Sequence, residues 1–268
     1  MQLRKGEEPQ MATQEIYAPI GDALGAELDK AARACRILEM EGHGSRTLGH
    51  LSLRDPEGRG FWLKRWGITF GEVFDRRDFV LLDIDGHKIG GEGRRHSEWP
   101  IHAEIFRRRD DVMSVVHSHP VYCRMFSAVD EPLRAVANSG AHFPVSPPRF
   151  TTTSELIRNV DVAAEMAEML GDHNTVLLRN HGVVFCGGSV EEVVTIGAYI
   201  EEACREHIMI AASGLKWEWP SDAELAAKHG GVKGSGGWKR NFDYFLRRLA
   251  AIEIHGDPAY PTTPVPIE

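Results

Sequence analysis

Two histidines, one residue apart, close an apolar run in Val115-Val116-His117-Ser118-His119-Pro120. On a strand over residues 112–119, positions i and i+2 share a face. Both imidazoles then project side by side, with Cα atoms about 7 Å apart. Neutral imidazole is a favoured ligand for zinc and other first-row ions, so the pair supplies two corners of a metal site. A catalytic ion needs more. Glu98, in His96-Ser97-Glu98-Trp99, and His181, in Leu177-Leu178-Arg179-Asn180-His181-Gly182, are the candidates to complete it. Three histidines with a carboxylate nearby are a common plan for a metal Lewis acid with an open position. Taken singly, the same residues read as a polar pair on a half-buried strand, a helix-terminus carboxylate and a turn histidine.

These side chains need elements to hold them. Apolar periodicity predicts a helix over residues 20–41, ended by Gly42 and Gly44. Residues 49–54 and 60–66 read as a hairpin around Asp55-Pro56-Glu57-Gly58, and residues 79–84 as a strand. A Gly-rich basic loop, residues 90–95, leads into a helix to about residue 109, with Ser97 as its cap and Pro100 in its first turn. A short helix over residues 122–127 follows the histidine pair. Strands are expected over residues 133–138, 175–179 and 183–186, the last two flanking His181. Helices are expected over residues 154–170, capped by Ser154, and 189–212, opened by a Ser189/Glu192 capping box. A glycine linker, residues 230–237, then delivers an amphipathic helix, residues 238–254, bearing Trp238, Phe242, Phe245 and Leu249.

Composition narrows the class. The chain of 268 residues suffices for one large α/β domain. A net charge of −8 argues against a nucleic-acid partner. The four cysteines form no CxxC pair, as expected of reduced cytoplasmic thiols. No apolar run is long enough to span a membrane, and residues 1–15 lack the apolar core of a secretory signal. Residues 1–15 read as a loose tail, 16–215 as the catalytic domain and 216–268 as an extension whose one helix packs on the same domain or a neighbouring subunit.

Four motifs, in order, resemble the class II aldolase/adducin family: Gly49-His50-Leu51-Ser52-Leu53-Arg54, Ser97-Glu98-Trp99-Pro100-Ile101-His102, Val115-Val116-His117-Ser118-His119 and Leu178-Arg179-Asn180-His181-Gly182-Val183. The resemblance spans about residues 20–212. It implies a three-layer αβα sandwich with a central, mostly antiparallel sheet. It implies a divalent ion, Mn2+ or Zn2+ among others, on His117, His119 and His181, with Glu98 as fourth ligand or as catalytic acid/base. It also implies a homotetramer with sites between subunits.

The departures from that pattern bear on substrate. Sugar-phosphate members of the family carry Asn where this chain has His50, and a Ser-Gly phosphate turn where it reads Lys64-Arg65-Trp66-Gly67. Lys64 and Arg65 can pair with a carboxylate and Trp66 can pack on a flat ring, with His50 and Ser97 as polar contacts. Strand alternation pairs Lys64 with Trp66 on one face and leaves Arg65 as the substitute. The run from Gly91 to His102 is similar to a branch of the family that decarboxylates hydroxylated ring dicarboxylates of the pyridine or phthalate type. The expected activity is therefore non-oxidative, metal-dependent loss of CO2 from such a small-molecule carboxylate. An aldolase or epimerase acting on a sugar phosphate or hydroxy-acid is the second reading, and a non-catalytic interaction module the third. The intact histidines argue against the third.

Overall fold

The structure, a computed structural model, describes residues 21–233 and 237–255. The expected tail, the residues 234–236 of the glycine linker and the proline-rich end lie outside them. Among the described residues eight strands form one sheet: β1 (His50–Arg54), β2 (Phe61–Lys64), β3 (Phe79–Leu82), β4 (Lys88–Gly90), β5 (Ser114–Ser118), β6 (Arg149–Phe150), β7 (Thr175–Leu178) and β8 (Gly182–Gly187). Their order is β4-β3-β2-β1-β5-β8-β7-β6. Every neighbouring pair is antiparallel except β6 with β7. Among the described residues seven α-helices accompany the sheet: α1 (Asp22–Met40), α2 (Trp99–Arg108), α3 (Val121–Ser127), α4 (Val160–Leu170), α5 (Val190–Ala212), α6 (Asp222–Lys233) and α7 (Gly237–His255). None of the described helices is long and apolar enough to cross a membrane.

Strand alternation divides the core in two. Leu51, Leu53, Trp62, Val116 and Phe185 face one side and pack with Leu28, Cys35 and Leu38 of α1, Val193 and Ile196 of α5, and Phe242, Phe245 and Leu249 of α7. Phe61, Leu63, Val115, Val184 and Cys186 face the other and pack with Ile101 and Ile105 of α2 and Met166 and Leu170 of α4. The sheet is thus covered by helices on both faces, the αβα arrangement the motifs imply. By the same alternation His50 and His117 belong to the α2/α4 face, and they are direct cross-strand partners in the β1–β5 register. Arg54 fixes α2 against these strands. Its guanidinium donates to the carbonyls of Phe106, Arg109 and Val112, satisfying the end of α2 and the turn into β5.

Several local expectations are corrected. Residues 133–138 form no strand, because their backbone is tied by side chains: Leu133 N–H donates to Ser146 Oγ and Arg134 N–H to His207 Nδ1. The helix expected from Ser154 starts at Val160, capped by Asn159. The residues before it are irregular, with Ile157 buried in the α2/α4 core. Ser97 does not cap α2, whose N-cap is Glu98. Ser189 caps α5 as expected, but the Glu192 carboxylate turns to the N–H of Gly188 instead of completing the box. The extension holds two helices where one was expected. The signal for α6 was present: Ser221 Oγ accepts from Glu224 N–H and the Glu224 carboxylate accepts from Ser221 N–H, a capping box. Gly230 and Gly231, read as linker, are its last turn.

Candidate functional site

Three histidines reach one point from two neighbouring strands. His117 is in β5, His119 follows its end, and His181 lies in the turn between β7 and β8. That turn needs Asn180 in the left-handed region (φ 55°), a conformation Asn tolerates better than most residues. It also needs Gly182, where a Cβ would sit 2.4 Å from the Ser118 carbonyl oxygen. Any side chain there would push the His181 turn away from His119. Potential ligand atoms of His117, His119 and His181 all lie within 4.8 Å of one another. The His117 Nδ1–H donates to the Val183 carbonyl, which leaves Nε2 bearing a lone pair and aimed into the cleft.

Glu98 completes the cluster. Its Oε1 accepts the Ile157 N–H at 2.9 Å and stands 3.7 Å from His181 Nε2, while Oε2 stands 3.8 Å from Nε2 of both His50 and His117. Potential ligand atoms of His50, Glu98 and His117 form a second group within 4.8 Å. The irregular segment before α4 thereby serves the site, since it lends a backbone donor to the carboxylate. Burial raises the Glu98 carboxyl to about 7, partly opposed by the Ile157 N–H and the Arg158 charge. Burial keeps the histidines neutral. It drives His117 well below the ordinary imidazole value and His119 to about 4, and lowers His181 as well.

The buried ring atoms His117 Nε2, His119 Nδ1 and His181 Nε2 have no hydrogen-bond partner. An orphaned buried polar atom costs roughly 1–3 kcal/mol. Three histidines that each offer a ligand atom within 4.8 Å of the others, with a carboxylate beside them, fit a divalent cation. Neutral imidazoles with a carboxylate suit Zn2+, Mn2+, Fe2+ or Co2+.

Further histidines line the inner wall. His50 Nδ1 is 2.6 Å from His102 Nε2, and His102 Nδ1 is 2.7 Å from Ser52 Oγ, all fully buried. The His96 ring lies 4.3 Å from that of His50. In the sequence, His96 and His102 stood out only as parts of motifs. The signal for His102 was its place on the first turns of α2, four residues after Glu98 and so on the same face.

The basic run is dispersed. Lys64 is fully buried, with its Nζ donating to the Ile68 carbonyl at 2.5 Å. Burial lowers it to about 8, yet its charge still helps to depress His96 and His50. Arg65 is paired with Asp78 at 3.0 Å. Trp66 is 47% exposed and carries the Arg94 guanidinium over its ring. Because β2 ends at Lys64, alternation does not extend to Trp66. Ser97 is exposed. Two cations that belong to none of the motifs also act on the cluster. Arg124 on α3 is close enough to lower His119, after burial and His181, and Arg158 acts on Glu98. Neither guanidinium has a hydrogen bond or ion pair among the described residues.

The sequence profile of the class II aldolase and adducin N-terminal domain matches residues 29–208. The chain belongs to this family. A 3,4-dihydroxyphthalate decarboxylase from Arthrobacter keyseri is 32% identical over 232 residues, covering 79% of this chain and 89% of that protein. An L-fuculose phosphate aldolase from Methanococcus maripaludis is 26% identical, covering 67% of this chain and 94% of its own. Among solved structures, the L-fuculose 1-phosphate aldolase from Glaciozyma antarctica superposes with a TM-score of 0.74 at 20% identity, over 90% of this chain and 95% of that one. The last likeness establishes the class II aldolase fold. Decarboxylases and aldolases both stand among the relatives of this chain.

Proposed function

We propose that the protein is a divalent-metal-dependent, non-oxidative decarboxylase of a hydroxylated aromatic or pyridine dicarboxylate. The observation that carries this reading is the buried His117–His119–His181–Glu98 cluster in a chain 32% identical to a 3,4-dihydroxyphthalate decarboxylase over most of both proteins. His117, His119 and His181 hold the ion, with Glu98 beside it. The bound ion supplies positive charge against the negative charge that develops next to the departing carboxylate.

The protein's own groups do the rest. Loss of CO2 breaks the ring carbon–carboxylate bond and leaves an electron pair on the ring carbon, which must take up one proton. Beside a bound cation Glu98 would be ionised, so the proton it delivers is the one it takes from the substrate's ring hydroxyl, carried on Oε2 because Oε1 is committed to the Ile157 N–H. Arg124 and Arg158 meet the substrate's carboxylates at the mouth of the cleft, and Lys64 adds positive potential from within. The assembly is a homotetramer.

An aldolase acting on a sugar phosphate uses the same ligands, and the fuculose phosphate aldolase relative keeps that reading in view. One screen separates them. Metal-loaded protein is given hydroxylated phthalates and pyridine dicarboxylates in one series and sugar 1-phosphates in another. CO2 from the first series with no aldehyde from the second supports the proposal. Aldehyde release without CO2 replaces it with the aldolase.

A further inference from the structure

His50 belongs to one of the two ligand-like groups, so its type and position alone would make it another metal ligand. Its hydrogen bonds point elsewhere. His50 Nδ1 and His102 Nε2 are 2.6 Å apart, so one proton, and only one, lies between them. This couples the two rings. If His50 donates, His102 must carry its own proton on Nδ1, facing Ser52. If His102 donates, its Nδ1 is a lone pair and the proton of His50 is on Nε2.

Ser52 decides between these arrangements. Its hydroxyl is fully buried, 2.7 Å from His102 Nδ1, and has no other hydrogen-bond partner among the described residues. With a proton on His102 Nδ1, the Ser52 O–H would be left without an acceptor. With a lone pair there, Ser52 donates to His102 and His102 donates to His50, so the one donor left over is moved from the enclosed Ser52 hydroxyl to the ring atom that faces the Glu98 carboxylate. The last proton then sits on His50 Nε2, which has no partner and faces Glu98 Oε2 at 3.8 Å.

We infer that His50 is a neutral hydrogen-bond donor into the cleft through Nε2–H and not a metal ligand, held in that tautomer by Ser52 and His102. Its cross-strand neighbour His117 is set the opposite way, since its Nδ1–H is given to the Val183 carbonyl and its Nε2 keeps a lone pair. The two rings divide the labour, one binding cation and the other facing anionic oxygen. In the proposed reaction, on which this last clause rests, His50 meets the substrate oxygen that gains negative charge as CO2 leaves. Ser52 and His102 are positioning residues that act through His50.

The first test uses metal-free protein. Nitrogen-15 spectra of histidine-labelled protein, assigned with His50→Gln, should show His50 protonated on Nε2 and His117 on Nδ1. Ser52→Ala checks the relay and should broaden or move the His50 signals without moving those of His117. Titration with Zn2+ alone should give His50→Leu and His50→Gln the wild-type stoichiometry, with affinity within about threefold, while His119→Ala loses the site. A His50 protonated on Nδ1, or a His50→Gln protein with reduced Zn2+ stoichiometry, overturns the inference. These readouts decide it even if no ring dicarboxylate is turned over, an outcome that would remove only the proposed reaction. With a substrate in hand, His50→Leu should lower kcat by roughly 10²-fold or more. His50→Gln, which restores an N–H donor, should recover at least a tenth of the rate.

Discussion

His50 and His117 face each other across β1 and β5, and both leave Nε2 without a partner while Nδ1 is engaged, by His102 in one case and by the Val183 carbonyl in the other. The engaged nitrogen sets what the free one can do. A backbone carbonyl accepts only, so His117 must present a lone pair. His117, with His119 and His181, is the proposed metal-binding set, and the first prediction follows from that proposal. His119→Ala should lose bound metal and turnover together, while circular dichroism and the unfolding midpoint of the metal-free protein stay near wild type. A variant that keeps one ion per chain would remove His119 from the set.

Glu98 gives a prediction with a definite sign. Its carboxyl is raised to about 7, so below that pH the metal-free protein holds a proton there that a neighbouring cation expels. Metal uptake at pH 6 should release close to one proton per chain, and affinity should weaken as pH falls below 7. Glu98→Gln keeps the shape and the acceptor for the Ile157 N–H. It should abolish most of that release and cost roughly 10²–10⁴-fold in kcat. Near wild-type turnover would assign the proton transfer to another group.

The strands carrying the histidines were legible because their chemistry is local: alternation put His117 and His119 on one face, and Asn180-His181-Gly182 marked a turn. The cluster as a whole could not be derived from spacing, since Glu98 and His181 are 83 positions apart and meet only through the β5–β8 pairing and the entry angle of α2. The basic run misled for a physical reason. Residue types showed that Lys64 and Arg65 are cationic, but not that Asp78 engages Arg65 or that Lys64 turns inward to the Ile68 carbonyl. Arg124 and Arg158 went unread because neither stands in a motif. The segment before α4 was mistaken for helix because its residues suit one, while its backbone is held in place by Glu98.

Carboxylate recognition is where those two arginines can be tested. Arg158→Ala should raise KM for a dicarboxylate by about tenfold, in keeping with one lost charge-assisted hydrogen bond at a solvent-facing site, and leave kcat within about threefold. Because both guanidinium groups are exposed, added salt should weaken dicarboxylate binding in the wild type and less so in Arg124→Ala/Arg158→Ala. An unchanged KM in the double variant would return the role to Lys64.

Assembly is the fourth prediction. Light scattering of the purified protein should give four times the 29.9 kDa chain mass. A monodisperse monomer with full activity would show that the site needs no neighbour.

The most direct measurement is CO2 released from a hydroxylated ring dicarboxylate by chelator-treated protein as Mn2+ or Zn2+ is added back. A metal-dependent decarboxylase should give no release when metal-free, then a rate that climbs in proportion to bound metal and saturates at one ion per chain. Full release with chelator present, or none at any metal loading while the histidine site is filled, would contradict that assignment.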